Sequence, residues 1–250
     1  MPFRAFIAVE LGDISKITPL VSEIDKADAG YKLVEPEAMH ITLKFLGETE
    51  ERMVPEVQAC IEAAVRNIAP FDIGFKGYGA YPNTRRMRIL WVGVTGGDAL
   101  VGIAKYLEDS LEELGFEREN REYTPHITLG RLKGDFPKRT GVRAMDVLFD
   151  KYKDTDFGGC RVTRILLKKS ELTSNGPVYS NILEVLLPEG ALPEMKPLED
   201  APAEDASDDT QENGDDGTQG GDGRPATDNA EDKTLPEDTP PPELPPEPPL

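Results

Sequence analysis

The chain has 250 residues and a formal net charge of −19, with 47 Asp+Glu against 28 Lys+Arg. Spread evenly, that surplus would exclude nucleic acid as a partner, but residues 191–250 hold 18 of the acids and 3 of the bases, leaving only −4 on residues 1–190. Two widely separated cysteines exclude a disulfide scaffold, and no run comes near the roughly 18 apolar residues of a transmembrane helix.

In chain order, Phe3–Glu10 is an apolar, β-branched run that reads as a strand, too short before Glu10 for a secretion signal, so a cytoplasmic location is expected. Ile14–Ala27 has helical spacing, Ala38–Leu46 alternates as a strand, and Pro55–Ile68 is an amphipathic helix carrying Cys60 on its apolar face. Phe71–Tyr78 and Arg88–Val94 read as strands around the turn-rich Tyr81-Pro-Asn-Thr84. A helix follows, with Asp98 at the N-cap, Leu100, Ile103, Leu107 and Leu111 as its stripe, and Gly115 as its stop. Pro125–Leu132 reads as a strand, Val142–Tyr152 as a helix, and Arg161–Leu172 and Val178–Leu187 as a closing pair of strands. Residues 191–250 lack hydrophobic periodicity, are rich in proline and acid, and read as a disordered tail. That tail serves either as a solubilising segment or as a docking segment for a protein partner.

The only two histidines begin identical tetrapeptides, His40-Ile-Thr-Leu43 and His126-Ile-Thr-Leu129, set 86 residues apart. Side chains alternate on a strand, so each His shares a face with the Thr two positions on, while the Ile and Leu turn to the core. Interspersed strands and helices imply an α+β or α/β class over residues 1–190, and the repeat implies two similar lobes joined in one domain with a cleft between them. Two imidazoles facing one point can act as acid and base, and two hydroxyls can bond anionic oxygens, which suits in-line displacement at a phosphodiester. A zinc site would need a third ligand, and neither motif has a neighbouring Cys, Asp or His at ligand spacing, so no metal or other cofactor is expected.

Around these motifs, Lys44 shares the predicted face of His40 and Thr42 and could neutralise phosphate, or could be a solvated strand end. Arg131 falls on the opposite face unless the strand bends after Gly130. Phe45 and Trp91 read as core. Tyr78, Tyr81, Arg85, Arg86 and Arg88 form a basic and aromatic cluster around a loop, a composition that suits single-stranded RNA or a solvated turn.

The duplicated His-x-Thr-x pattern resembles the two-histidine phosphoesterase superfamily, and within it the RNA 2′,3′-cyclic phosphodiesterases, also called 2′-5′ RNA ligases. The resemblance extends to Phe3-Arg-Ala-Phe-Ile-Ala-Val-Glu10, Met39–Gly47, Arg88-Ile-Leu-Trp-Val-Gly93, Thr124–Arg131, Leu166–Leu172 and Gly176-Pro-Val-Tyr179. It implies an α+β fold, bilobal and two-fold pseudo-symmetric, with antiparallel sheets lining a central cleft and helices outside, and hydrolysis of a terminal 2′,3′-cyclic phosphate on RNA, including tRNA fragments, to a 2′-phosphomonoester without metal. It also implies 2′-5′ ligation as the reverse reaction, an RNA 5′-hydroxyl replacing water. By resemblance His40 is the proton donor and His126 the acceptor, with Thr42 and Thr128 on the non-bridging oxygens; spacing alone leaves the two histidines equivalent. Competing readings are the same chemistry on a small cyclic nucleotide, and a non-catalytic RNA-end binder whose tail recruits a partner.

Overall fold

A computed structural model describes residues 1–173 and 176–189. The tail predicted over residues 191–250 lies outside the described residues. The elements are β1 (Phe3–Glu10), α1 (Thr18–Ala27), β2 (Tyr31–Leu33), β3 (His40–Thr49), α2 (Val54–Val65), β4 (Phe71–Tyr81), β5 (Ile89–Thr95), α3 (Asp98–Glu112), β6 (His126–Leu132), α4 (Arg139–Tyr152), β7 (Asp156–Val162), β8 (Arg164–Thr173) and β9 (Gly176–Leu186). The class is α+β.

Local chemistry sets several boundaries. Pro19 occupies the first turn of α1, where its missing N–H costs nothing, so the helix starts later than the apolar spacing from Ile14 suggests. Gly97, not Asp98, caps α3, and Asp98 puts its carboxylate in the first turn against the positive end of the helix. Gly115 ends that run as expected, at φ +89°, while the Phe116 amide returns to the Leu111 carbonyl.

Where two sheets were expected, one continuous antiparallel sheet forms, in the order β7-β4-β5-β6-β3-β1-β8-β9, with β2 added on β6. Four strands lie on each side of the β6–β3 junction, and the histidine strands are the two that meet there. α1 packs with α4 and α2 with α3; α3 also lies against β3, and α4 against β4. Ile41, Leu43, Ile127 and Leu129 point to this helical side and join one core with Val57, Ile61, Leu100, Ile103 and Leu107. The opposite face carries the half-buried His40, Thr42, His126 and Thr128. Cys60 is a free thiol packed against the core, and Cys160 is also free.

Two bulges break the alternation at matching places. On β3, Ala8 faces Thr42 but Ile7 faces Lys44, so Leu43 is an extra residue. On β6, Trp91 faces Thr128 but Leu90 faces Gly130, so Leu129 is extra. Each extra residue moves everything after it to the other face of the sheet.

Lys44 therefore does not share the face of His40 and Thr42. It is 4% exposed and turns towards α3, where Nζ donates to Glu108 Oε2 at 2.6 Å and to the Glu117 carbonyl. Phe45, predicted to pack in the core, is 53% exposed on the histidine face beside Phe6. The Lys44 ammonium is satisfied where it is buried, so removing it strands the Glu108 carboxylate. Lys44→Met should lower unfolding free energy by about 3 kcal/mol in urea titrations, with partial recovery in Lys44→Met/Glu108→Met. A loss under about 1 kcal/mol, as for an exposed pair, would contradict this structural role.

Candidate active site

β3 and β6 share a single paired position, Ile41 with Ile127. Extending that antiparallel register by one residue each way sets His40 across from Thr128 and Thr42 across from His126. The sequence repeat thus becomes a spatial one, in which each imidazole faces the other motif's hydroxyl. Beyond this pair the strands part: β3 continues along β1, while β6 continues between β5 and β2.

The two imidazoles are held alike. His40 Nδ1–H donates to the Ala38 carbonyl at 2.8 Å, and His126 Nδ1–H donates to the Thr124 carbonyl at 2.8 Å. A carbonyl can only accept, which fixes Nδ1 as the protonated nitrogen and leaves Nε2 to give or take a proton at the site. Each ring also meets a tyrosine edge-on: Tyr179 at 5.2 Å and 88° from His40, Tyr81 at 5.1 Å and 76° from His126. Phe6 completes a three-ring cluster with His40 and Tyr179, its ring centre 4.8 Å from His40 and 5.1 Å from Tyr179.

The electrostatics differ between the two. Burial drives the His40 imidazole from 6.5 down to about 4; the Ala38 hydrogen bond opposes this, and the charges of Lys168 and Arg131 reinforce it. Burial also lowers His126 below 6.5, opposed by its Thr124 hydrogen bond and reinforced by Arg131. Lys168 is buried, its Nζ held by Asn181 Oδ1 at 2.8 Å and Glu10 Oε1 at 3.2 Å, and Glu10, the last residue of β1, is paired with His40 on β3. Lys168, through Phe6, and Tyr81, through Ile89, each stand two strands out from the residue that a bulge returns to the histidine face, Phe45 and Arg131 respectively. The site has a cation at that position beside His40 and a phenol beside His126.

Among the residues expected at the site, His40, Thr42, His126 and Thr128 converge. Arg131 joins them because the bulge at Leu129 turns it to the histidine face, and its charge acts on both rings. Lys44 does not join them. Trp91, expected in the core, is half-buried on the histidine face, packed over Gly79 and 5.3 Å from the Tyr81 ring. Tyr78 leaves the loop cluster altogether and stacks on Phe149 at 4.6 Å in the core. Arg88 approaches Asp135 at 3.9 Å, while Arg85 and Arg86 are exposed. Phe6, Lys168 and Tyr179 were not singled out from sequence; only the pairing of β1, β8 and β9 reveals them. Tyr123 supports the first motif strand, its hydroxyl donating to the Thr42 carbonyl at 3.0 Å. Among the described residues no group of three or more His, Cys, Asp or Glu is placed to hold a metal ion, and no helix is long and apolar enough to cross a membrane.

Comparison with known proteins agrees with this geometry. A family model described as the 2′-5′ RNA ligase superfamily matches residues 13–171. The chain is 35% identical over 184 residues to the RNA 2′,3′-cyclic phosphodiesterase of Methanothermobacter thermautotrophicus, covering 73% of this chain and 97% of that protein. It is 38% identical over 182 residues to the protein of that name from Methanocaldococcus jannaschii, covering 72% and 99%. Among solved structures, TT0787 of Thermus thermophilus superposes with a TM-score of 0.60 at 28% identity, over 74% of this chain and 97% of that one. E. coli LigT, crystallised with 3′-AMP, shares the fold at a TM-score of 0.56 and 22% identity, over 75% and 99%. With its paired His-x-Thr strands meeting at one position, the chain belongs to the 2′-5′ RNA ligase superfamily.

Proposed function

We propose that this protein hydrolyses the terminal 2′,3′-cyclic phosphate of RNA to a 2′-phosphomonoester, with two histidines as the acid and base. The observation that carries the reading is the junction of β3 and β6, which sets two imidazoles and two hydroxyls on one face around Ile41 and Ile127. The names of the relatives supply the substrate class. In this reading the two four-strand halves of the sheet are pseudo-symmetric lobes lining a central cleft, and residues 1–190 form the catalytic domain.

His126 Nε2 takes a proton from water as its oxygen attacks phosphorus. The bond from phosphorus to the 3′-oxygen breaks, and His40 Nε2–H protonates that departing oxygen. Thr42, Thr128 and Arg131 hold the non-bridging oxygens. With an RNA 5′-hydroxyl in place of water, the same displacement forms a 2′-5′ linkage. The electrostatics support this division of labour. Lys168 destabilises the His40 imidazolium and makes it the stronger acid, while the less crowded His126 is the better base. An imidazole pushed down to about 4 is neutral at pH 7, so His40 becomes a competent donor only when the anionic phosphate beside it restores its proton affinity.

His40→Ala and His126→Ala should each lower kcat on a cyclic-ended RNA by about 10²–10⁴-fold in EDTA, measured by product chromatography. Full activity in either variant would end the two-histidine mechanism, and a 3′-phosphomonoester product would reverse the assigned bond cleavage.

Both free-enzyme imidazoles lie below 6.5, so kcat/KM, which reports the free enzyme, should already be declining above pH 6.5. The alkaline limb of kcat, which reports the complex, should lie at higher pH because bound phosphate favours the protonated acid. Coincident limbs would show that substrate charge does not control the donor.

Removing residues 191–250 should leave kcat on the same RNA within about twofold of the full chain, since two-histidine chemistry draws on residues 1–190 alone. A large loss in the truncated protein would move part of the site into the tail.

A further inference from the structure

Among the described residues, 11 of the 25 lysines and arginines have a carboxylate within 4.0 Å. Arg52, Arg118, Lys138, Lys151, Arg161 and Arg164 all lie within 4.0 Å of one, and Lys168 and Lys169 on the His40 side do as well. The region beyond His126 is different. Lys32 on β2 stands directly opposite Arg131 on β6, and neither has a carboxylate partner among the described residues. Like charges at directly opposed strand positions, with Cβ atoms about 4.5–5.5 Å apart, destabilise the sheet that carries them. The bulge at Leu129 produces this arrangement by turning Arg131, and with it the Lys32 position, to the histidine face.

The β4–β5 loop adds two more unpaired cations. It leaves Tyr81, whose ring meets His126, and its turn is tied by Asn83 Oδ1, which accepts from the Arg85 and Arg86 amides at 3.0 Å each. It returns at Arg88, whose carbonyl accepts from the Leu132 amide at 2.8 Å, so the loop is anchored alongside the end of β6. Arg85 and Arg86 are exposed. Cations without a carboxylate partner thus cluster beyond His126. The His40 side presents Phe6, Phe45 and Tyr179, and its lysines are ion-paired, Lys168 with Glu10 and Lys169 with Glu171.

Resting on the phosphodiesterase reading above, we propose that Lys32, Arg131, Arg85 and Arg86 form a one-sided track for the ribose-phosphate backbone of a single RNA strand entering the site. A cyclic phosphate closes the 3′ end of an RNA, so its chain leaves the reacting group in one direction. A single track past the end of β6 matches that polarity, and makes the enzyme one for polynucleotide ends over mononucleotides. Arg131 reaches the reacting phosphate as well, so the other three cations isolate the track.

The test compares a cyclic-ended RNA decamer with a 2′,3′-cyclic mononucleotide in wild type and in Lys32→Ala/Arg85→Ala/Arg86→Ala. Wild type should favour the decamer. The triple variant should lose about tenfold or more in kcat/KM on the decamer relative to the mononucleotide, and its log–log salt slope should flatten by about 2, as for three single-strand phosphate contacts. Equal losses on both substrates, or no loss on the decamer, would overturn the track. Should wild type cleave neither substrate, the phosphodiesterase reading fails on its own. Fluorescence anisotropy with a labelled decamer then decides: binding at least tenfold weaker in the triple variant supports the track, and unchanged binding overturns it.

Discussion

One backbone pairing, Ile41 with Ile127, joins the two halves of the sheet, and the chemistry sits on that joint. Had β3 and β6 paired along their whole lengths, neighbouring side chains would have filled the face and left no room for a phosphate. Had they not touched, nothing would fix the distance between the imidazoles. A single shared position avoids both outcomes, because cross-strand neighbours around it are set by strand geometry, while the strands beyond it follow different partners. Burial of Ile41, Leu43, Ile127 and Leu129 against the helices anchors the joint from behind. The core is therefore what positions the two imidazoles.

The bulges after each motif turn this symmetric frame into a directional site. Both strands slip by one residue at the Leu of His-Ile-Thr-Leu, so the side chains that return to the active face are Phe45 on one strand and Arg131 on the other. A ring and a guanidinium hold equivalent positions, as Lys168 and Tyr81 do two strands further out. Identical tetrapeptides thus end up in unlike fields, with burial and two cations weighing on His40 and burial with Arg131 alone on His126.

The legible part of this structure was the part governed by unbroken periodicity. Alternation along Ala38–Leu46 and Pro125–Leu132 correctly paired each His with its Thr on one face and sent each Ile and Leu to the other. Counting onward by twos then failed, because a bulge carries no signature in Leu43-Lys44 or Leu129-Gly130 and flips every later residue. Lys44 went to the core side for that reason, and Phe45 and Arg131 to the active face. β2, three residues long, falls below any periodic signal, and β7 was obscured by Gly158-Gly159. Gly159 sits where the β4 backbone at Ile73 leaves no room for a side chain. Phe6, Lys168 and Tyr179 depend on sheet order, which local sequence does not encode.

Both imidazoles lean on main-chain carbonyls, and no carboxylate backs either ring among the described residues. A carboxylate would stabilise the imidazolium permanently; a carbonyl does so only weakly. Proton uptake and anion binding are consequently linked, each raising the affinity for the other. In the proposed reaction the 2′-phosphomonoester product carries more charge than the cyclic diester, so it would draw a proton into the site more strongly than substrate does. Acidic conditions would then tighten the hold on product, and release rather than bond breaking would come to limit turnover.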